Sequence, residues 1–270
     1  MGRIEDTFAQ LKQRNEKALI PFITAGDPYL QATEQIIDEL IAAGADIIEL
    51  GMPFSDPMAD GPTIQAASER ALAAGVTLRN VLDLVAKVRT HSQIPIILMG
   101  YYNPIFNYGG QRFAQQAQQA GVDGLLLVDL PPEERDELAV FTTPLGINLI
   151  TLLTPTTPTQ RTADLLAQAQ GFVYYVSMTG VTGTAKVNSG AIEAKVNQLR
   201  SQSPVPVAVG FGITSAADAG AIACFSDAVV VGSALVNVIK QYSDSPCLLE
   251  KVHGFISELK QGILDATDNK

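Results

Sequence analysis

Ala43-Gly44-Ala45-Asp46-Ile47-Ile48-Glu49-Leu50 carries the chain out of a helical pattern and into a short apolar run. The same join returns at Ala120-Gly121-Val122-Asp123, ahead of the run Gly124–Val128. Glycine at a helix end takes the left-handed conformation at little steric cost and releases the chain into the next strand. Working outward from these joins, strand-length apolar runs recur at Leu19–Phe22, Asp46–Leu50, Ile96–Met99, Gly124–Val128, Asn148–Leu152, Phe172–Val176, Val205–Val209 and Ala228–Val231. Continuous runs fit strands covered on both faces, as in a parallel sheet. Between them the apolar residues keep a helical period, as in Leu78, Val81, Leu82, Val85 and Val88.

Eight such β-then-α units with no break in composition predict a single (β/α)8 barrel domain spanning residues 1–270, with extra helices at both ends. The pattern alone also admits an open doubly wound sheet. A net charge of −10 argues against nucleic acid or an anionic membrane as partner. No apolar run approaches the roughly 20 residues that span a bilayer, and residues 1–17 are amphipathic and unlike a signal peptide, which predicts a cytoplasmic protein. Cys224 and Cys247 make neither a metal spacing nor a disulfide framework.

In a barrel the chemistry sits at the carboxyl ends of the strands. Glu49 closes a run that is otherwise apolar, and an ionised carboxylate there is costly unless it is paired or its pKa rises. Catalysis and a structural salt bridge both explain it. Asp60 precedes Gly61-Pro62, a helix start, so it reads equally as a helix cap and as a second catalytic acid, while Asp56 before Pro57 reads as a turn residue. His91 and His253 fall away from the catalytic ends, and Lys186 is the lysine nearest them, so metal-dependent and Schiff-base chemistry are both disfavoured. Carboxylates remain for proton transfer. Glycine-bearing loops follow strands 6, 7 and 8: Thr179–Thr184, with Thr182 and Gly183; Gly210-Phe211-Gly212; and Gly232-Ser233. Their backbone N–H groups, with a helix N-terminus, suit a phosphate.

The stretch Glu49-Leu-Gly-Met-Pro-Phe-Ser-Asp-Pro-Met-Ala-Asp-Gly-Pro-Thr-Ile-Gln65 resembles the tryptophan synthase alpha subunit family. Supporting matches are Pro21-Phe-Ile-Thr-Ala-Gly-Asp-Pro28, Tyr101-Tyr-Asn-Pro104, Val128-Asp-Leu-Pro131, Ser177-Met-Thr-Gly-Val-Thr-Gly183 and Val209-Gly-Phe-Gly212. The resemblance implies a lyase that cleaves indole-3-glycerol phosphate to indole and glyceraldehyde 3-phosphate, with Glu49 and Asp60 as catalytic acids. It implies that Phe22, Tyr101, Leu126, Leu152 and Tyr174 surround the indole ring, and that the backbones of Gly183, Gly212, Gly232 and Ser233 hold the phosphate. The chain departs from other members at Met178, where some carry arginine, and at Gly100, where others are bulkier.

The loops Pro53-Phe54, Pro57-Met58, Asn103-Pro104-Ile105-Phe106 and Leu130-Pro131-Pro132 predict an apolar patch on the catalytic face. The resemblance implies that this face docks a pyridoxal-phosphate-bearing beta subunit in an alpha2-beta2 heterotetramer, this chain holding no cofactor of its own. A free-standing indole-releasing lyase, a scaffold-type activating subunit and another phosphate-handling barrel are the rival readings. Tyr174 is expected either to orient Glu49, to pack on the ring, or to serve as a core aromatic.

Overall fold

The computed structural model describes residues 2–176, 189–210 and 212–268. Its parallel strands are β1 (Ala18–Thr24), β2 (Ile48–Gly51), β3 (Ile96–Gly100), β4 (Gly124–Leu127), β5 in two pieces (Asn148–Leu149 and Thr151–Leu153), β6 (Val173–Val176), β7 (Val207–Gly210) and β8 (Ala228–Val231). Each pairs with its neighbours in chain order, and β8 returns to β1 through Ala18↔Ala228 to Pro21↔Val231. An open sheet would leave β1 and β8 apart. The first piece of β5 pairs with β4 and the second with β6, so the barrel closes through Ile150, whose N–H donates to Leu125 O at 2.8 Å.

Alternation along the strands sorts the side chains. Ala18 and Ile20 of β1, Ile97, Leu126, Ile150, Phe172, Ala208, Ala228 and Val230 pack together inside the barrel. Helix α1 (Arg3–Gln13) plugs the lower end with Ile4, Phe8 and Leu11, and the Phe8 ring meets Phe172 at 5.9 Å between centroids. The outward set, including Leu19, Ile23, Leu50, Leu98, Val209 and Val229, joins the larger core beneath the helices, with Ile36, Ile37, Val81, Val85 and Phe113. Burial on both faces is why the runs are continuous.

The expected strand edges shift by a few residues where a side chain or a proline claims the backbone. Asp46 stays outside β2, because its carboxylate accepts the Leu19 N–H (2.8 Å) and the Lys260 ammonium (2.7 Å) at the barrel bottom. The run expected at Val205–Val209 pairs only from Val207: the Val205 N–H turns to Ser203 Oγ, and Pro206 has none to give. The terminal helix runs Leu248–Asp268, one of the two extra helices expected at the ends of the chain. Gly44 and Gly121 take φ +99° and +88°, as the two joins require. Among the described residues no helix is long and apolar enough to cross a membrane.

Candidate active site

Glu49 sits on the inner face of β2, paired in register with Phe22 on one side and Ile97 on the other. It is 2% exposed, and burial alone pushes its carboxyl up to about 8. Near neutral pH it therefore stands as a carboxylic acid able to give a proton and take it back. Tyr174, on the inner face of β6 between Leu152 and Ala208, faces it. Burial, reinforced by the charge of Glu49, pushes the Tyr174 hydroxyl well above its ordinary value and keeps it a neutral donor. Leu126 is fully buried in the same interior cluster. Leu152 is half-buried and lines a cavity of about 310 Å³ with Val128 and Ile150.

Asp60 comes from the long loop after β2. The helix that follows, Pro62–Ala73, is capped by Gly61 with no side-chain bond, so the carboxyl of Asp60 does not cap it. The loop is pinned instead from the residue just past β3 and from its own helix: the Ala59 N–H donates to the Tyr101 hydroxyl (2.9 Å), and Gln65 Nε2 donates to Asp60 O (2.8 Å). Burial raises the Asp60 carboxyl, and the Tyr101 hydroxyl pulls it partly back. Asp60, Tyr101 and Phe22 line one narrow cavity together with Thr24, Gly51, Met52, Ile64, Ser68, Met99, Gly100 and Val128.

The side chain missing at Gly100 is compensated within the chain. A Cβ there would lie 3.1 Å from Met52 Cε and 3.2 Å from Met52 Cβ, so Met52 already fills the space of the bulkier residue expected in relatives. Met52, Met99 and Thr24 were not among the expected pocket residues. The alternation that brings Phe22 inward also brings Thr24 inward, and that was the available signal.

On the other side of β1, at the same carboxyl end of the barrel, β8 runs into Gly232, the cap residue of helix Ser233–Tyr242, with no side-chain capping bond. The first N–H groups of a helix have no partner inside it, which leaves those of Ser233 onward for an anion. Gly232 packs against Phe22, a Cβ there lying 3.7 Å from the ring. After β7 the helix Ala216–Ala223 is different. Asp218 already takes the N–H groups of Thr214 (3.1 Å) and Ser215 (3.0 Å) and both hydroxyls. Burial pushes the Asp218 carboxyl up, but these donors outweigh it and hold the group below its usual value. The N–H groups of Thr214 and Ser215 are therefore taken, and what else the loop after β7 offers is the backbone around Gly212, which takes φ +43°. Thr182, Gly183, Met178, Lys186 and Phe211 lie outside the described residues.

The two histidines are remote from this face. His91 meets Asp38 and His253 meets Glu39, both between outer helices. Around the mouth, Met58 is 86% and Phe106 64% exposed, and the Phe54 ring lies 5.0 Å from Tyr101. Ile105 departs from the expected patch: it is wholly buried in the core beneath, and Phe106 alone of that pair faces solvent.

The family model described as tryptophan synthase alpha chain matches residues 8–263. The chain is 55% identical over 264 residues to the tryptophan synthase alpha chain of Citrifermentans bemidjiense, covering 98% of each. The solved tryptophan synthase alpha subunit of Legionella pneumophila superposes with a TM-score of 0.92 at 42% identity, over 98% of this chain and 99% of that one. A chain of M. tuberculosis tryptophan synthase in its aminoacrylate-bound form gives 0.86 at 32%, over 97% and 100%. Barrel, motif and matches agree along essentially the whole length, and the chain belongs to the tryptophan synthase alpha chain family.

Proposed function

We propose that this chain, acting in the cytoplasm as one (β/α)8 domain, cleaves indole-3-glycerol phosphate to indole and glyceraldehyde 3-phosphate. The observation that carries the reading is a fully buried carboxyl at the catalytic end of β2, held protonated near neutral pH and faced by a tyrosine hydroxyl. Family membership supplies the substrate.

The bond between indole C3 and the glycerol chain breaks once C3 has gained a proton and the adjoining hydroxyl has lost one. Glu49 gives its proton to C3, and the ring becomes an electron-poor indolenine with positive charge near N1. The Glu49 carboxylate then takes the proton of the adjoining hydroxyl. The C–C electron pair returns to the ring, restoring indole, while the hydroxyl carbon becomes the aldehyde. Asp60 accepts the N1–H and stabilises the charge that grows there, an interaction stronger in the transition state than in the ground state. Phe22, Tyr101, Leu126, Leu152 and Tyr174 hold the ring. The amides of Gly183, Gly210, Phe211, Gly212, Gly232 and Ser233, with Thr182, hold the phosphate end.

The exposed Met58 and Phe106 support a partner on this face, and we assign it to the beta subunit in an alpha2-beta2 assembly. The test is direct: the isolated chain is given indole-3-glycerol phosphate and indole release is followed. Release is expected from the native chain, with Glu49→Gln and Asp60→Asn each slower by orders of magnitude; native-like turnover by Glu49→Gln would refute the proton-shuttle role.

A further inference from the structure

Thr24 ends the inward row of β1 two residues past Phe22, and its side chain enters the cavity that Asp60 and Tyr101 line. It is 2% exposed. Its Oγ1 is one of two buried side-chain polar atoms among the described residues that lack a hydrogen-bond partner; the other, Glu5 Oε2, belongs to the plug at the far end of the barrel. The Thr24 backbone is engaged, its carbonyl accepting the Asp27 N–H at 3.2 Å, so the hydroxyl is the group left over. A buried hydroxyl without a partner costs stability, and the isosteric valine would avoid that cost in a strand of this kind.

The rest of the lining narrows the possible partners. Phe22, Met52, Ile64, Met99 and Val128 offer no acceptor of consequence, and Ser68 offers only a neutral hydroxyl. The Tyr101 hydroxyl already accepts the Ala59 N–H and faces Asp60. Of the polar side chains on the lining, Asp60 alone carries a charge that the reaction requires, and burial works against that charge.

We propose that Thr24 is a positioning residue for Asp60: its hydroxyl donates to the Asp60 carboxylate when the ring enters, so that the remaining lone pairs face N1–H. This rests on the reading of Asp60 given above. A second donor fixes the carboxylate in one orientation and favours its charged form, which is the form that stabilises the indolenine. In the free enzyme the hydroxyl stands uncommitted, and substrate binding supplies the geometry it lacks.

The experiment compares Thr24→Val, Thr24→Ser and Asp60→Asn, singly and with valine combined with Asp60→Asn, using indole release from indole-3-glycerol phosphate across pH. Thr24→Val is expected to lower kcat about tenfold, the order of one hydrogen bond to a charged group, with KM little changed and melting temperature no lower. The acidic limb of its kcat profile moves to higher pH, because a donor to the charged form in the enzyme–substrate complex is gone, while the limb of kcat/KM, set by the free enzyme, stays in place. Thr24→Ser restores most of the rate. In the Asp60→Asn background valine adds no further loss. A purely structural hydroxyl would leave kcat and the acidic limb where they were, and that result overturns the proposal. So does a valine loss that multiplies in full with Asp60→Asn, since the two residues would then act separately. Near-native turnover by Asp60→Asn itself removes the reading of Asp60, and the proposal with it. Thr24→Ala makes the same comparison should valine disturb folding.

Discussion

The Tyr174 ring lies directly against the α-hydrogen face of Gly210. A Cβ at Gly210 would come within 2.6 Å of Tyr174 Cε2 and 2.7 Å of Cζ, and closer still to the hydroxyl. The two residues sit on adjacent strands β6 and β7, and Tyr174 faces Glu49 from that position. The absence of a side chain on β7 therefore sets where the tyrosine hydroxyl stands.

Gly210→Ala forces that ring to move. Contacts this short cannot be absorbed by a barrel strand, so the ring and its hydroxyl must leave the position they hold beside Glu49. We expect kcat/KM for indole release to fall at least about a hundredfold, with a melting temperature lowered by overpacking of about 1–3 kcal/mol. Shrinking the ring with Tyr174→Leu in the same chain should recover part of the lost binding. Steady-state kinetics on the two variants decide it.

Glu49 predicts a pH signature of both rate and stability. Its folded-state pKa is raised to about 8 from 4.5. A group raised in this way contributes stability that is fully present below the unfolded value and is lost as pH rises through the folded one. The loss spans pH 4.5 to 8 and approaches about 1.4 kcal/mol per unit within it. Glu49→Gln cannot ionise, so denaturant unfolding across this range should show it gaining on the native chain as pH rises. The native enzyme needs Glu49 protonated at the outset, so its kcat/KM should decline on the alkaline side near 8.

Tyr101→Phe tests the brace on the loop that carries Asp60. Losing the hydroxyl leaves the Ala59 N–H without its 2.9 Å acceptor and removes the group that offsets burial at Asp60. The Asp60 pKa must climb further, and a larger share of the enzyme starts with the wrong charge for the indolenine. The acidic limb of kcat/KM is expected to move up in pH, and the rate to fall about tenfold. An unmoved acidic limb would assign Tyr101 to ring packing alone.

How far the sequence could be read follows from the same physics. The barrel was legible because strands covered on both faces must be continuously apolar, and Glu49 stood out as the exception to that rule. The break in β5 was not, because Asn148–Leu152 reads as one run while the change of partner at Ile150 is imposed by closure of the barrel. On the residues alone Asp60 read as cap or catalyst alike, because what removes the cap, Gly61 holding that position without the Asp60 carboxyl, shows only in the folded backbone. Thr24 drew no notice because threonine is at home in any strand, and only its vacant hydroxyl sets it apart. The difference between two similar helix starts was equally hidden: Thr214-Ser215 and Ser233 look alike in sequence, and only the folded backbone shows Asp218 taking the N–H groups of the first pair.

Phe106 tests the assignment of the mouth to a partner. Its ring is 64% exposed and meets Tyr102 edge-on at 6.0 Å, while its neighbour Ile105 anchors the helix in the core. A large aromatic held out on a rigid helix is the kind of side chain that dominates protein–protein contacts. Phe106→Asp leaves the core untouched and, being solvated in the free chain, should change melting temperature by no more than about 0.5 kcal/mol in stability. Burying that charge against an apolar partner surface is costly. Binding to the beta subunit, followed by calorimetry or by activation of indole release, is expected to weaken at least about tenfold, the basal rate of the isolated chain staying as it was. Undiminished affinity would move the docking face away from this helix and toward Met58 and the loop after β2.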